Sequence, residues 1–228
     1  MVRALYTAAT GMVVQAAKQE IIANNVANVQ TPGFKRARVT TASFTIVFNN
    51  VAKSLSKTQT GYPDYTVEPV MTTLLQSPDV SQGVIRKTDN PLDLAIDGPG
   101  YFEVLYPSGL RYTRAGNFTL NVAGELCTID GGKVQGSSGP IRLPKGNVEI
   151  CSDGSVLVNG QQVDTIKIAN AKPGQTKVVS GALEESNVNV VEELAEMILN
   201  MRSFEANQRV VTNVDHTLDK LINDGGRV

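Results

Sequence analysis

Tryptophan is absent from this sequence, histidine occurs once, cysteine twice, and aromatic residues make up only 5% of the chain. Each shortage removes a class of function. A glycan-binding module needs exposed aromatic platforms, and the few Tyr and Phe residues here are scattered through strand-like runs. The lone His216 follows Asp215 with no nucleophile or orienting partner at a recognisable spacing, so no hydrolase constellation is present and no catalytic residue is assigned. Cys127 and Cys151 form no Cys-x-x-Cys or Cys/His cluster. They read as half-buried strand residues with no metal site, and their spacing leaves a disulfide open. The formal net charge of -1 gives no excess of either sign, so neither nucleic acid nor anionic lipid is indicated as a partner. No apolar run approaches the ~20 residues of a membrane span, which argues against membrane insertion. The opening ten residues contain no apolar core with a cleavage site behind it. If the protein leaves the cytoplasm, it is expected to do so without a cleaved signal peptide. Gly98-Pro-Gly100 lacks the following Lys-Ser/Thr of a phosphate loop and has proline where a donor is needed, so no cofactor is expected.

What is present is periodicity at both ends. Steps of four and three from Leu5 give Leu5, Ala9, Met12, Ala16, Gln19, Ala23 and Val26, apolar at all but one step. That is the seam of a helix lying along another helix. Asn24, Asn25 and Asn28 then accumulate, and Thr31-Pro32-Gly33 ends the helix. From Val190 the same steps reach Leu194, Met197, Met201, Phe204, Gln208, Val211, Asp215, Leu218 and Ile222, behind acidic and capping residues at 184–187. At 1.5 Å per residue this helix would be roughly 50 Å long, more than a globular domain ordinarily uses. Gln208 and Asp215 interrupt the seam. They read either as solvent-facing turns or as polar positions that fix register.

The middle differs in kind. Asp153-Gly154 and Asn159-Gly160 separate short β-rich runs over 148–168, and Pro107-Ser108-Gly109 separates Tyr101–Tyr106 from Leu110–Thr113. Such turns between apolar runs are strong hairpin signals. The spacing predicts an antiparallel sandwich or barrel. The expected fold class is therefore α+β: N- and C-terminal helices form a coiled-coil-like domain with an antiparallel all-β domain inserted between them. The expected boundaries are 1–33 and 183–228 for a discontinuous helical domain, 34–79 for an extended connection with a little strand, and 80–182 for the β domain.

Three stretches carry a family resemblance. The first is Ile22-Ala-Asn-Asn-Val-Ala-Asn28 with Thr31-Pro-Gly-Phe-Lys35. The second is Asn90-Pro-Leu-Asp-Leu-Ala-Ile-Asp-Gly-Pro-Gly-Tyr-Phe102, continued by Tyr112-Thr-Arg-Ala-Gly-Asn-Phe118 and Asp130-Gly-Gly-Lys-Val134. The third is Gly181-Ala-Leu-Glu-Glu-Ser-Asn-Val-Asn189 with Glu192-Glu-Leu-Ala-Glu-Met-Ile198. In this order they resemble the axial proteins of bacterial flagella, the rod and hook proteins of the hook–basal body. Arg3-Ala-Leu-Tyr-Thr7, Gly139-Pro-Ile-Arg-Leu-Pro144 and the short chain are most similar to the proximal rod branch, next to the distal rod branch. Residues 45–79 match the family poorly.

The resemblance implies a structural subunit and no enzyme. Such a subunit is exported through the flagellar type III apparatus and polymerises helically with itself and other axial proteins. It forms the periplasm-crossing rod that transmits torque to the hook. Heterologous contacts that do not close on themselves give such filaments. The assembly interface is expected at Leu5, Met12, Val26, Leu194, Met197, Met201, Phe204 and Leu218, with Asn24, Asn25 and Asn28 as polar end contacts. Glu184, Glu185, Glu192, Glu193 and Glu196 read as a solvated face that could meet Lys35, Arg36 or Arg38 of a neighbouring subunit. A distal rod or hook-type protein, or a non-flagellar coiled-coil adaptor or binding module, is the alternative.

Overall fold

The computed structural model describes residues 2–43, 72–172 and 174–225, with side chains placed for most of them. The role expected for 45–79 and the middle of the 34–79 connection fall mainly outside the described residues. Two compact units emerge. One comprises 1–27, 37–79 and 189–228; the other comprises 28–36 and 80–188. Compared with the expected boundaries, the helical unit takes in strand from the connecting segment. The residues just past the first helix and just before the last belong to the β unit.

In the first unit, helix α1 (Val2–Ala27) packs on helix α2 (Val190–Gly225). The 36 residues of α2 extend about 54 Å at the α-helical rise. Asn189 caps α2: its side-chain oxygen accepts the Val191 N–H at 3.1 Å, and Glu192 and Glu193 occupy the first turn. Strand β1 (Ala37–Ser43) pairs antiparallel with β2 (Thr72–Pro78), Ala37 opposite Pro78 and Ser43 opposite Thr72.

The second unit is β throughout. Its main sheet is built on β5 (Tyr101–Tyr106), flanked by β6 (Gly109–Thr113) on one edge and β9 (Lys133–Gly136) on the other. The path continues through β8 (Leu126–Cys127) to β7 (Thr119–Leu120), while β14 (Ile168–Ala169) also pairs with β5 and β10 (Gly139–Pro140) with β9. A meander of β11 (Val148–Ile150), β12 (Ser155–Val158) and β13 (Gln161–Thr165) lies alongside. Two further pairs complete it: β15 (Lys177–Ser180) with β4 (Leu94–Asp97), and β16 (Ala182–Glu184) with β3 (Ile85–Lys87). The Asn159-Gly160 turn has positive φ at both residues, 52° and 81°, as the mirror-type hairpin turn requires. Alternation sets the core. Leu94, Ile96, Phe102, Val104, Phe118, Leu126, Val134, Ile141 and Val156 are sealed from solvent, and Phe102 meets Phe118 edge-on with ring centroids 5.1 Å apart. Cys127 is buried in β8 and Cys151 is exposed just after β11, both as free thiols.

Glu125 locks one corner of the sheet. Its carboxylate accepts Lys133 Nζ at 2.8 Å and Asn121 Nδ2 at 2.9 Å, with Arg142 at 3.5 Å. The hydrogen bond from Lys133, then that from Asn121, lower its pKa from 4.5 to about 2. A lowered carboxylate pKa contributes stability above the unfolded value, and that contribution is lost as pH falls through the folded one. Acid titration of thermal stability should therefore show a loss between about pH 4.5 and 2. Glu125→Gln should flatten the curve in that window; an unchanged acid slope in the variant would contradict this role.

Candidate assembly surface and the signature cluster

Fitted to the fold, the three signature stretches meet at one point inside the β unit. Glu184, at the end of β16, is fully buried. One carboxylate oxygen pairs with Lys35 Nζ at 2.5 Å and accepts the Gly83 N–H at 2.9 Å; the other pairs with Arg114 Nη1 at 3.0 Å. Lys35 comes from the first stretch, Arg114 from the second and Glu184 from the third. Most of the remaining donors are also used, the buried Arg114 Nε being the exception. Lys35 Nζ reaches Ser81 O, and Arg114 reaches Ile96 O and Gly98 O, with its guanidinium over the Tyr101 ring at 5.4 Å. The main chain closes the knot: Gly33 N donates to Glu184 O at 2.7 Å, and Arg36 N donates to Asn187 Oδ1 at 2.7 Å. Gly33 has φ +68°, and a Cβ there would lie 2.2 Å from the Arg114 carbonyl carbon. Only glycine meets both demands.

This corrects the reading of Glu184 as part of a solvated face awaiting a neighbour's Lys35. The two already pair within one chain, out of water. Of the other glutamates, Glu185 is exposed and pairs with Arg86, and Arg38 pairs with Asp79. Glu193 is fully buried in the helical unit, again against expectation. Nothing in the local pattern marked either acid as interior, since each sits among exposed glutamates. The signal was the recurrence of Lys35, Arg114 and Glu184 one per signature.

The helix pair has an unexpected inner seam. Val190, Glu193, Met197, Asn200, Asn207, Val211 and Val214 turn away from solvent, so alternate seam positions lie one residue before the predicted Leu194, Met201, Gln208 and Asp215. Three of these inner residues are polar, seven residues apart. Asn25 Nδ2 donates to Glu193 Oε2 at 3.0 Å and to Ala37 O at 3.0 Å, and Asn25 Oδ1 accepts the Ala37 N–H. Asn200 Nδ2 donates to Gln15 O at 2.8 Å and Gln19 Oε1 at 2.9 Å. Opposite Asn207 stands Gly11, where a Cβ would lie 2.7 Å from the Asn207 amide nitrogen. Equal steps in opposite directions make the pair antiparallel. Gln208 and Asp215 face solvent, so register is held by Glu193, Asn200 and Asn207.

The shift leaves apolar residues outside. Leu194, Ile198, Met201 and Val191 are 45%, 54%, 51% and 75% exposed. Phe204 and Leu218 are at the margin of exposure, while Leu5, Met12, Val26 and Met197 are half-buried. Asn25 is wholly interior, Asn28 accepts the Thr31 hydroxyl, and Asn24 is exposed. Among the described residues, no group of three or more His, Cys, Asp or Glu is placed to hold a metal, and no helix is long and apolar enough to cross a membrane.

Three family profiles match in chain order: the flagella basal body rod protein profile over 5–35, the flagellar hook protein FlgE/F/G D1 domain over 95–158, and the flagellar basal body rod FlgEFG protein C-terminal over 179–224. The flagellar basal-body rod protein FlgG of Bacillus subtilis is 32% identical, covering 98% of this chain and 99% of that protein. The chain belongs to the flagellar basal-body rod protein family. FlgG of Caulobacter vibrioides is also 32% identical, over 95% of this chain and 97% of its own, and FlgF of Rhizobium meliloti is 29% identical, over 96% and 95%. Both kinds of rod protein thus align almost end to end at similar identity. The family is structural, not enzymatic, and its members associate with other flagellar axial proteins.

Truncating Glu184 should be severe, because it strands two cations in a dry site. Glu184→Ala is expected to cost about 3–5 kcal/mol in denaturant unfolding, the penalty for breaking a buried pair. A loss below about 1 kcal/mol, the range of an exposed pair, would contradict the cluster's role.

Proposed function

We propose that this chain polymerises helically as a rod subunit of the flagellar basal body, through the exposed faces of its paired helices. The drive shaft so formed crosses the periplasm and carries motor torque to the hook. Family membership supplies the setting. The carrying observation is the uncovered apolar stripe Val191, Leu194, Ile198 and Met201 on a helix whose inner seam is already occupied by α1. Burying such side chains yields ~1.5–3 kcal/mol each, a driving force that needs a partner surface. Neighbouring copies and other axial proteins provide it, at the positions predicted above: Leu194, Met201, Phe204 and Leu218 outward, with Leu5, Met12, Val26 and Met197 partly open. Asn24 and Asn28 supply polar contacts near the end of α1.

In the same reading the chain travels through the flagellar type III export apparatus. The stretches 3–7 and 139–144 favour the proximal rod position over the distal one. The shape of the contact follows from torque: side chains packed knob into hole are not continuously deformable, so a shaft built from them transmits rotation.

Leu194→Asp or Met201→Asp places a carboxylate on the stripe without touching the inner seam. Each should leave the β unit folded, by unchanged near-UV circular dichroism, and abolish motility and rod assembly. Normal motility in either variant would remove the stripe from the interface.

A further inference from the structure

Beside the stripe, α1 and α2 enclose a groove of about 500 Å³ lined by Ala16, Ala23, Met201 and Phe204, with Glu20 and Glu205 at its rim. The side-chain oxygen of Asn200, which also lines it, is buried and accepts no hydrogen bond. Lining this small and apolar fits a row of side chains from another helix. The acidic rim and the unused acceptor specify donors and positive charge for whatever enters.

The chain itself carries a face with that chemistry. At about 100° per residue, Leu199, Arg202, Ala206, Arg209 and Val210 lie on the side of α2 turned away from both α1 and the groove. Leu199 is 62% exposed and Val210 43%, and the two arginines alternate with them. Neither arginine, nor Glu20, nor Glu205, has an ion-pair partner among the described residues.

We propose that the groove of one copy receives this outer face of α2 from a second copy, with apolar Leu199 and Val210 on its floor and the arginines at its acidic rim. A guanidinium there can donate to Asn200 Oδ1 while pairing with Glu20. The groove and the face are different surfaces of one chain, so the contact is heterologous and each copy added exposes a fresh groove. The inference rests on the rod reading above and names the partner and the charges that would set direction along the polymer.

Charge reversal tests it. Glu20→Arg and Arg202→Glu, each expressed alone in cells lacking the native chain, should both block incorporation into isolated basal bodies and abolish motility. Expressed together as two chains, they should alternate and restore both, because each variant's groove then meets a face of opposite sign. The double variant in one chain should also restore assembly. Wild-type incorporation of either single variant would overturn the proposal. Loss in both without rescue by mixture or double variant would assign the groove to another axial protein and overturn it as a self-contact. Absence of the native chain from basal bodies would overturn the rod reading itself, and this inference with it.

Discussion

The carboxylate of Glu184 is the constraint on which the β unit depends. It is wholly removed from water, faces two cations and a backbone N–H, and has its own carbonyl tied to Gly33. Burying three charges is costly, and the site offsets that cost only by satisfying nearly every donor with a carbonyl or carboxylate. A hydrophobic core tolerates repacking, whereas this arrangement has one solution. It holds segments 28–36 and 184–188, which follow α1 and precede α2 in the chain, side by side against the strand carrying Glu184. A rod subunit has a use for such a fixed point, because an ion cluster with matched hydrogen bonds admits one arrangement of the segments it joins.

The helical unit applies the same logic in the opposite direction. Its inner seam places Glu193, Asn200 and Asn207 where Leu or Met would give more burial energy. Polar seam residues weaken a helix pair but select one register and one orientation. Asn25 is the clearest instance, since its side-chain amide takes both the N–H and the C=O of Ala37 in the manner of a neighbouring strand. The apolar residues displaced from the seam are thereby left on the surface. A specific polar seam within the chain beside an uncovered apolar face is the arrangement that binding to neighbours can stabilise.

Element type was readable from periodicity and turn chemistry. The two helices follow from spacing, the 101–113 hairpin from its Pro-Ser-Gly turn, and the 148–165 meander from its Asp-Gly and Asn-Gly turns. Strands β1 and β2 were not readable beyond a trace, because Ser/Thr-rich runs with no alternation carry little signal. The seam was half readable. Val190, Met197 and Val211 of the periodic seam turn inward, whereas Leu194 and Met201 lie outside it, because the period reports hydrophobicity and not burial. In an assembling protein an apolar residue can be reserved for the next copy, and a glutamate or asparagine can occupy the interior when a specific partner such as Asn25 or Gln19 waits there. The glutamate-rich stretch 184–196 hid Glu184 and Glu193 for the same reason. Their burial depends on residues far away in the chain, beyond the reach of any local pattern.

The most direct test is hydroxyl-radical footprinting of Met201 in the free chain and in isolated basal bodies, with half-buried Met197 as an internal standard. Met201 should oxidise readily in the monomer and become strongly protected on assembly, while Met197 changes less. Equal oxidation of Met201 in both states would mean that the outward stripe of α2 stays in water in the rod and is not the assembly surface.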